Sequence, residues 1–331
     1  MDFQARLYLA PLRGITDRFF RSAYENHFGR FDYMLAPFIS TVKGKRARLC
    51  HVKDIHPDHN DPERLIPQII GNDSEGFLIL SQTFSDLGFK SVNWNLGCPS
   101  PLVTRKKRGS GLLPYTEEIR KFLDYVIPHL PFPLSVKVRL GLEQKSDLDK
   151  LIPVFNEYPL KEIIIHPRTG SQMYKGSVDL ESFTSCYHQS THEVIYNGDI
   201  RTLSDLHFLS SKFPRTGKWM LGRGIISNPF LLPQIRNRDC HPGIDKVKSF
   251  VDELLGVNSR HLPGENSVLG KMKELWSFLA QGLDPSGNLM TRILRTTTVD
   301  MYQKEIDSFF SSLPASFSPV SENGVAPSPA E

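Results

Sequence analysis

A (β/α)8 barrel followed by a small all-helical segment is the fold class that this 331-residue sequence predicts. Three observations lead to it. Eight β-prone runs alternate with amphipathic or polar stretches of helical length, the pattern of a parallel α/β sheet. The alternation spans about 230 residues, close to the ~250 of a closed eightfold barrel. The chain's polar and glycine-rich motifs sit at the ends of the runs, where parallel barrels build their sites.

The runs fall at 6–11, 31–37, 65–71, 91–95, 133–139, 162–166, 193–197 and 218–221. Helices are expected at 17–28, 74–87, 116–127, 147–158, 180–188 and 202–211, with a last one after Asn228. Asp17 can cap the first of these, and Thr116 precedes Glu117 and Glu118, acidic groups that favour a helix N-terminus. An open doubly wound sheet would need a dinucleotide-type glycine fingerprint after its first strand, which Pro11-Leu12-Arg13-Gly14 does not supply. Past about Cys240 the strand signals stop. Segments 247–255, 267–281 and 289–302 look helical, with Met272, Leu275, Trp276 and Leu279 at helical spacing. The domain reading is therefore a barrel over 1–240, a helical domain over 241–312, and a Ser/Pro/Ala-rich disordered tail over 313–331.

Hydrophobic content of 39% and charged content of 23% describe an ordinary globular chain, and a net charge of +4 is compatible with a polyanionic partner without requiring one. The four cysteines, Cys50, Cys98, Cys186 and Cys240, form no CxxC pair, which fits a reducing cytoplasm. No signal-peptide layout opens the chain, and no apolar run reaches the roughly 20 residues of a membrane helix. Cys50, His51, His56 and His59 match no zinc spacing, so no metal is expected. The chain is expected to act as a monomer.

The chemistry is expected around Cys98, in Asn93-Trp94-Asn95-Leu96-Gly97-Cys98-Pro99-Ser100. A buried structural thiol is the common fate of an intracellular cysteine. Here Gly97 is read as allowing close backbone approach and Pro99 as fixing the turn that aims the side chain. With an ordinary thiol pKa near ~8.5, Cys98 would be a proton donor, whereas adjacent cations would push it toward a nucleophilic thiolate. Both roles stay open at this point. Lys137 alternates with Val136 and Val138 on a buried strand, which is costly unless it meets an anionic or electron-rich group. His166 ends an isoleucine run and opens a polar cluster with Arg168 and Thr169. Asn197-Gly198-Asp199 and Gly222-Arg223-Gly224 follow the seventh and eighth strands, where barrels bind phosphate, and together favour a phosphate-bearing cofactor. Arg105, Lys106, Lys107 and Arg108 form a basic run beside the thiol, and Lys43, Lys45, Arg46 and Arg48 a second; phosphate contacts of this kind position a nucleic acid.

These motifs, with Ala10-Pro11-Leu12-Arg13-Gly14-Ile15-Thr16-Asp17, Val136-Lys137-Val138-Arg139-Leu140-Gly141 and His166-Pro167-Arg168-Thr169, resemble the tRNA-dihydrouridine synthase family from about Leu7 to Leu232. The resemblance implies an FMN-binding barrel and an RNA-binding helical domain that reduce the C5=C6 bond of tRNA uridines with NADPH. It implies that Pro11, Leu12, Arg13, Gln68, Lys137, His166, Asn197, Gly198, Asp199, Gly222 and Arg223 contact FMN. Asn95 and Arg139 would hold the base, and Cys98 would protonate C5. Arg168 and, by its position beside the thiol, the 105–108 run are further candidates for contact with RNA. The layout is most similar to the bacterial C-type synthases acting at uridine 16. Pro167 and the basic 105–108 run depart from the family pattern. A flavin barrel reductase of a small molecule, of dihydroorotate or enoate type, is the alternative, and a non-catalytic RNA-binding barrel a third.

Overall fold

The computed structural model describes residues 5–41, 52–236 and 243–314. The cluster Lys43, Lys45, Arg46 and Arg48, together with Cys50, His51, Cys240 and the tail beyond residue 314, lies outside the described residues. The strands are β1 (Arg6–Leu9), β2 (Tyr33–Leu35), β3 (Ile39–Ser40), β4 (Leu65–Ile66), β5 (Gln68–Ile70), β6 (Val92–Leu96), β7 (Leu134–Arg139), β8 (Ile163–His166), β9 (Val194–Tyr196) and β10 (Lys218–Leu221). They form one curled sheet in the order β3-β5-β6-β7-β8-β9-β10-β1-β2-β4. Every pairing is parallel.

The expected run 65–71 is broken in two, and the run 31–37 is followed, past its end, by an extra short strand. Pro67 has no N–H to give the ladder and divides β4 from β5, while the chain leaves the ladder between β2 and β3 at Ala36-Pro37-Phe38. The pieces still pair, with Met34 opposite Leu65 and Ile39 opposite Ile69. The short strand β3 carries no alternation of its own, and the sequence did not announce it.

Strand alternation sets what each face meets. On β6, Val92, Trp94 and Leu96 join the large core beneath the helices, and the Trp94 ring stacks on Phe122 at 3.9 Å between centroids. Asn93 and Asn95, one step out of phase, face the concave side of the sheet. That side has its own small apolar cluster, from Tyr8, Ala10, Leu35, Ile66, Ile164, Ile195 and Met220.

The outer helices are α1 (Arg18–Phe28), α2 (Ser74–Asp86), α3 (Pro101–Thr104), α4 (Thr116–Val126), α5 (Ser146–Phe155), α6 (Leu180–Gln189), α7 (Leu203–Lys212), α8 (Arg223–Ser227) and α9 (Leu231–Arg236). Asp17 caps α1, its Oδ1 accepting from the N–H groups of Phe19 at 3.1 Å and Phe20 at 3.0 Å. Thr116 is the first residue of α4 rather than its cap, a place held by Tyr115. The short helices α3 and α8 were not expected, since four or five residues are too few to show a period.

Four further helices follow: α10 (Asp245–His261), α11 (Gly264–Leu283), α12 (Asn288–Arg295) and α13 (Val299–Ser312). The expected helix over 289–302 is two helices. Thr296 bonds back to the Ile293 carbonyl at 2.8 Å, and Thr298 accepts from the Met301 N–H at 3.2 Å, so side-chain hydroxyls end one helix and begin the next. Trp276 binds these helices together, its Nε1–H donating to the Tyr302 hydroxyl at 2.7 Å. No helix among the described residues is long and apolar enough to cross a membrane.

The C-terminal helices are pressed onto the sheet's helical layer. Phe250 of α10 meets Phe20, Tyr24 and Phe28 of α1 edge-on, with ring centroids 5.3–6.3 Å apart. Gly282 of α11 lies so close to α8 that a Cβ there would stand 1.8 Å from the Ser227 carbonyl oxygen. Gly282→Ala is therefore expected to lower stability by about 1–3 kcal/mol through overpacking. In an unobstructed helix the same change gains about 1 kcal/mol. Urea unfolding of the variant reports the sign, and a stabilised variant would contradict the close packing of α11 on α8.

Candidate active site

A cavity of about 470 Å3 opens at the C-terminal ends of the strands. Its wall carries Pro11, Leu12 and Arg13 after β1, Asn95 and Cys98 at and after the end of β6, and Lys137 and Arg139 on β7. His166 on β8, Asn197, Gly198 and Asp199 after β9, and Gly222 and Arg223 after β10 complete that part of the wall. Period-two alternation explains the convergence on β7 and β8. Lys137, Arg139 and His166 are all inward positions, and the residues between them, Val136, Val138 and Ile165, belong to the outer core.

Asn95 fixes the thiol. Its Oδ1 accepts from the N–H of Gly97 at 3.0 Å and of Cys98 at 2.9 Å, and its Nδ2 donates to Gln68 Oε1 at 2.8 Å. Gln68 in turn donates to Asn93 at 2.7 Å, and Asn93 to Ser135 at 2.9 Å. Gln68 is thus buried beside Asn95 and supports it. The glycine reading also shifts. A Cβ on Gly97 would make only ordinary contact, 3.4 Å from the Lys137 carbonyl, whereas one on Gly109, at φ +56°, would stand 2.6 Å from the Cys98 carbonyl. Gly109 is the position where the returning loop requires glycine to close over Cys98.

Burial decides the ionisation states. It pushes the Cys98 thiol above its usual value, outweighing the Ser100 N–H and the pull of Arg139, Arg13 and Lys137. The thiol is thus protonated at neutral pH. None of the opposing cations belongs to the 105–108 run. Lys137 is pushed down to about 7 by burial and by neighbouring Arg139. Its Nζ has no hydrogen-bond or ion-pair partner among the described residues. His166 is held well below its usual value by burial, with Arg139 and Lys137 adding to the effect. Its Nδ1 lies 2.5 Å from the Asn197 carbonyl oxygen, which makes Nδ1 the protonated nitrogen and leaves Nε2, buried without a partner, as a free acceptor.

Asp199 sits between two guanidinium groups, Arg168 and Arg223. Its Oδ1 accepts from both, at 3.1 Å and 2.8 Å. Burial works against this carboxylate, but the arginines outweigh it and hold Asp199 below its usual range. Arg168 is 2% exposed and also donates to the Gly176 carbonyl at 2.6 Å. It does not line the cavity, and its guanidinium holds Asp199 and the loop after β8.

The four cations of 105–108 lie outside the cavity and differ among themselves. Lys107 bonds Glu118 at 2.8 Å and stands 3.9 Å from the Tyr115 ring centroid, and Arg108 bonds Asn72 at 3.3 Å. Arg105 and Lys106 are exposed, and neither side chain has a partner among the described residues.

Several wall residues went unread in the sequence. Tyr174 lies over Arg139 and Arg223, with centroid distances of 5.3 and 4.6 Å. Glu274, Phe278 and Gln281 reach the cavity from α11. Their spacing is helical and out of phase with the core residues Met272, Leu275, Trp276 and Leu279, which was the available signal. Tyr174 sits on a loop, and nothing periodic marks it.

A parallel α/β sheet whose strand ends surround a protonated thiol, an unpaired lysine, a neutral histidine and an arginine cluster defines an enzyme of anionic or electron-rich ligands. Residues 8–291 match the family described as Dihydrouridine synthase, and the chain belongs to that family. It is 27% identical over 232 residues to tRNA-dihydrouridine synthase B of Pasteurella multocida, covering 68% of this chain and 67% of that one. It is 23% identical over 319 residues to tRNA-dihydrouridine(16) synthase of Neisseria meningitidis, covering 92% of this chain and 95% of that one. Among solved structures, an old yellow enzyme homologue from Zymomonas mobilis superposes with a TM-score of 0.51 at 8% identity, over 72% of this chain and 90% of that chain, a likeness of fold alone.

The low value of Lys137 has a pH consequence. Between about 7 and the ordinary lysine value near ~10.4, the folded protein binds fewer protons than the unfolded chain, so stability rises with pH across that window. Below the window both states are charged, and the cost of burying the ammonium is felt in full. Lys137→Met is expected to stabilise the ligand-free protein most below pH 7, the advantage shrinking toward pH 10. Urea unfolding at several pH values checks this, and parallel profiles for the two proteins would contradict it.

Proposed function

We propose that this chain is a tRNA-dihydrouridine synthase, reducing the C5=C6 bond of a uridine in tRNA within the cavity between the strand ends and α11. The observation that carries this reading is a thiol kept protonated by burial on the wall of a cavity that also presents an unpaired lysine. FMN, recharged by NADPH, supplies the hydride when bound. The residues fit such a group. The cavity volume is in the range for a cofactor, His166 Nε2 is a buried polar atom without a partner among the described residues, and Lys137 lines the same cavity. Pro11, Leu12, Arg13, Lys137, His166, Asn197, Gly198, Asp199, Gly222 and Arg223 would hold it. Arg223, on the cavity wall, suits its phosphate, and Lys137 suits an electron-rich ring on which negative charge develops.

Cys98 holds the proton that balances the hydride, delivering it to C5 of the base. Asn95 spends one of its two N–H donors on Gln68, which leaves the other for a carbonyl of the uracil. Arg139 flanks the same space, pushed down by burial to about 10 and so still charged at neutral pH. We read β2 with β3, and β4 with β5, as two of the eight strands of a closed (β/α)8 barrel over 1–240. The helices of 241–312 form the tRNA-binding domain. Uridine 16 is the favoured target, because the relative named for that position aligns over 319 residues, through the C-terminal helices, and the synthase B relatives over 232–239. The cytoplasm, where tRNA is modified, is the compartment this reading calls for.

Dihydrouridine mapped in tRNA from cells with and without this chain tests the reading directly. Loss at a single position is expected, and no loss would overturn it. Cys98→Ala is expected to slow dihydrouridine formation by a factor on the order of 10²–10⁴ while tRNA still binds in a gel-shift titration. Turnover at the wild-type rate would remove Cys98 from the proton-donor role.

A further inference from the structure

We infer that Leu102 is a positioning residue for the reaction proposed above, entering the base stack of the RNA at the place the target uridine vacates, with Arg105 and Lys106 gripping the flanking phosphates. The inference rests on that proposed function. A uracil ring stacked within RNA cannot present its face to a cavity, so the nucleotide must be turned out. Turning it out leaves a gap whose neighbours have lost stacking, and apolar side chains are used to fill such gaps.

Leu102 is the most exposed large hydrophobic side chain among the described residues, at 78%. Lone exposed leucines are common, so exposure alone means little. Its setting is what singles it out. It lies in α3, on the segment that follows Cys98, outside the cavity. That segment is held at both ends. The N–H groups of Val103 and Thr104 donate to the Ser100 carbonyl at 2.8 and 2.9 Å, and Ser110 returns to the Cys98 carbonyl with both its N–H and its hydroxyl at 3.1 Å. The loop packs so closely on itself that a Cβ on Gly111 would stand 2.5 Å from the Thr104 carbonyl oxygen. A leucine on a braced turn is positioned to be pushed between bases, as one on a slack loop is not.

The neighbouring cations divide accordingly. Lys107 and Arg108 are tied back to Glu118 and Asn72, and so serve the turn itself. Arg105 and Lys106, three and four residues beyond the leucine, are exposed and without side-chain partners among the described residues, the arrangement that backbone phosphates on either side of a turned-out nucleotide would meet.

The test uses the full FMN-loaded chain and a tRNA transcript that the wild type modifies, carrying 2-aminopurine beside the modified uridine. Leu102→Ala is expected to lower kcat/KM for tRNA about tenfold or more and to suppress the rise in 2-aminopurine fluorescence on binding. Thermal stability and NADPH-driven flavin reduction without RNA should stay at wild-type values. Leu102→Met should restore most of the loss, and Phe208→Ala, which removes an exposed side chain of α7, should change nothing. Arg105→Gln and Lys106→Gln should each reduce the slope of log binding constant against log salt by about 1, a change Leu102→Ala does not make. If the wild type forms dihydrouridine and Leu102→Ala matches it in rate and fluorescence, the wedge is overturned while the proposed function stands. If the wild type forms none, both fall together.

Discussion

One asparagine joins the sheet to the chemistry. Asn95 accepts the N–H groups of Gly97 and Cys98 and donates to Gln68, which is tied through Asn93 to Ser135. These side chains come from three adjacent strands, β5, β6 and β7, all on the concave face. Buried amides and hydroxyls are costly to leave unsatisfied, so the ladder is stable only in the register where each donor finds its acceptor. Strand register and thiol position are thus a single structural fact. A slip of one residue on β6 would turn Asn93 and Asn95 toward the helices and Trp94 into the cavity.

Burial then sorts the charges. At one rim Arg168 and Arg223 hold the Asp199 carboxylate, while Lys137 and Arg139 stand beside Cys98, and the low dielectric makes each group respond to its neighbours. Lys137 and His166 yield protons more readily than usual, while Cys98 keeps its own. The exposed cations of the 105–108 run act over solvent and are screened within about a Debye length. Nearness along the chain therefore did not translate into influence on the thiol.

The C-terminal helices complete this environment as part of the wall. Gly282 lets α11 seat against Ser227, and Lys271 reaches across to the Gly14 carbonyl at 2.5 Å and to the Asp17 carboxylate. Glu274, Phe278 and Gln281 then face the same cavity as the strand ends. The segment read from sequence as an appendage is what gives the cavity its far side.

The sequence by itself determined the elements whose signals are local: eight runs with strand periodicity, the capped helix after Asp17, and the inward sequence positions Asn95, Lys137, Arg139 and His166, because a period of two dictates which side chains share a face. It also carried the family motifs around Cys98. Only the tertiary structure decided the rest. The support role of Gln68, the pairing of Arg168 with Asp199 and the wall of α11 all depend on contacts between segments far apart in the chain. The protonation of Cys98 was undecided for the same reason. Its pKa is set by how much water the folded cavity excludes, a quantity that no run of neighbouring residues contains.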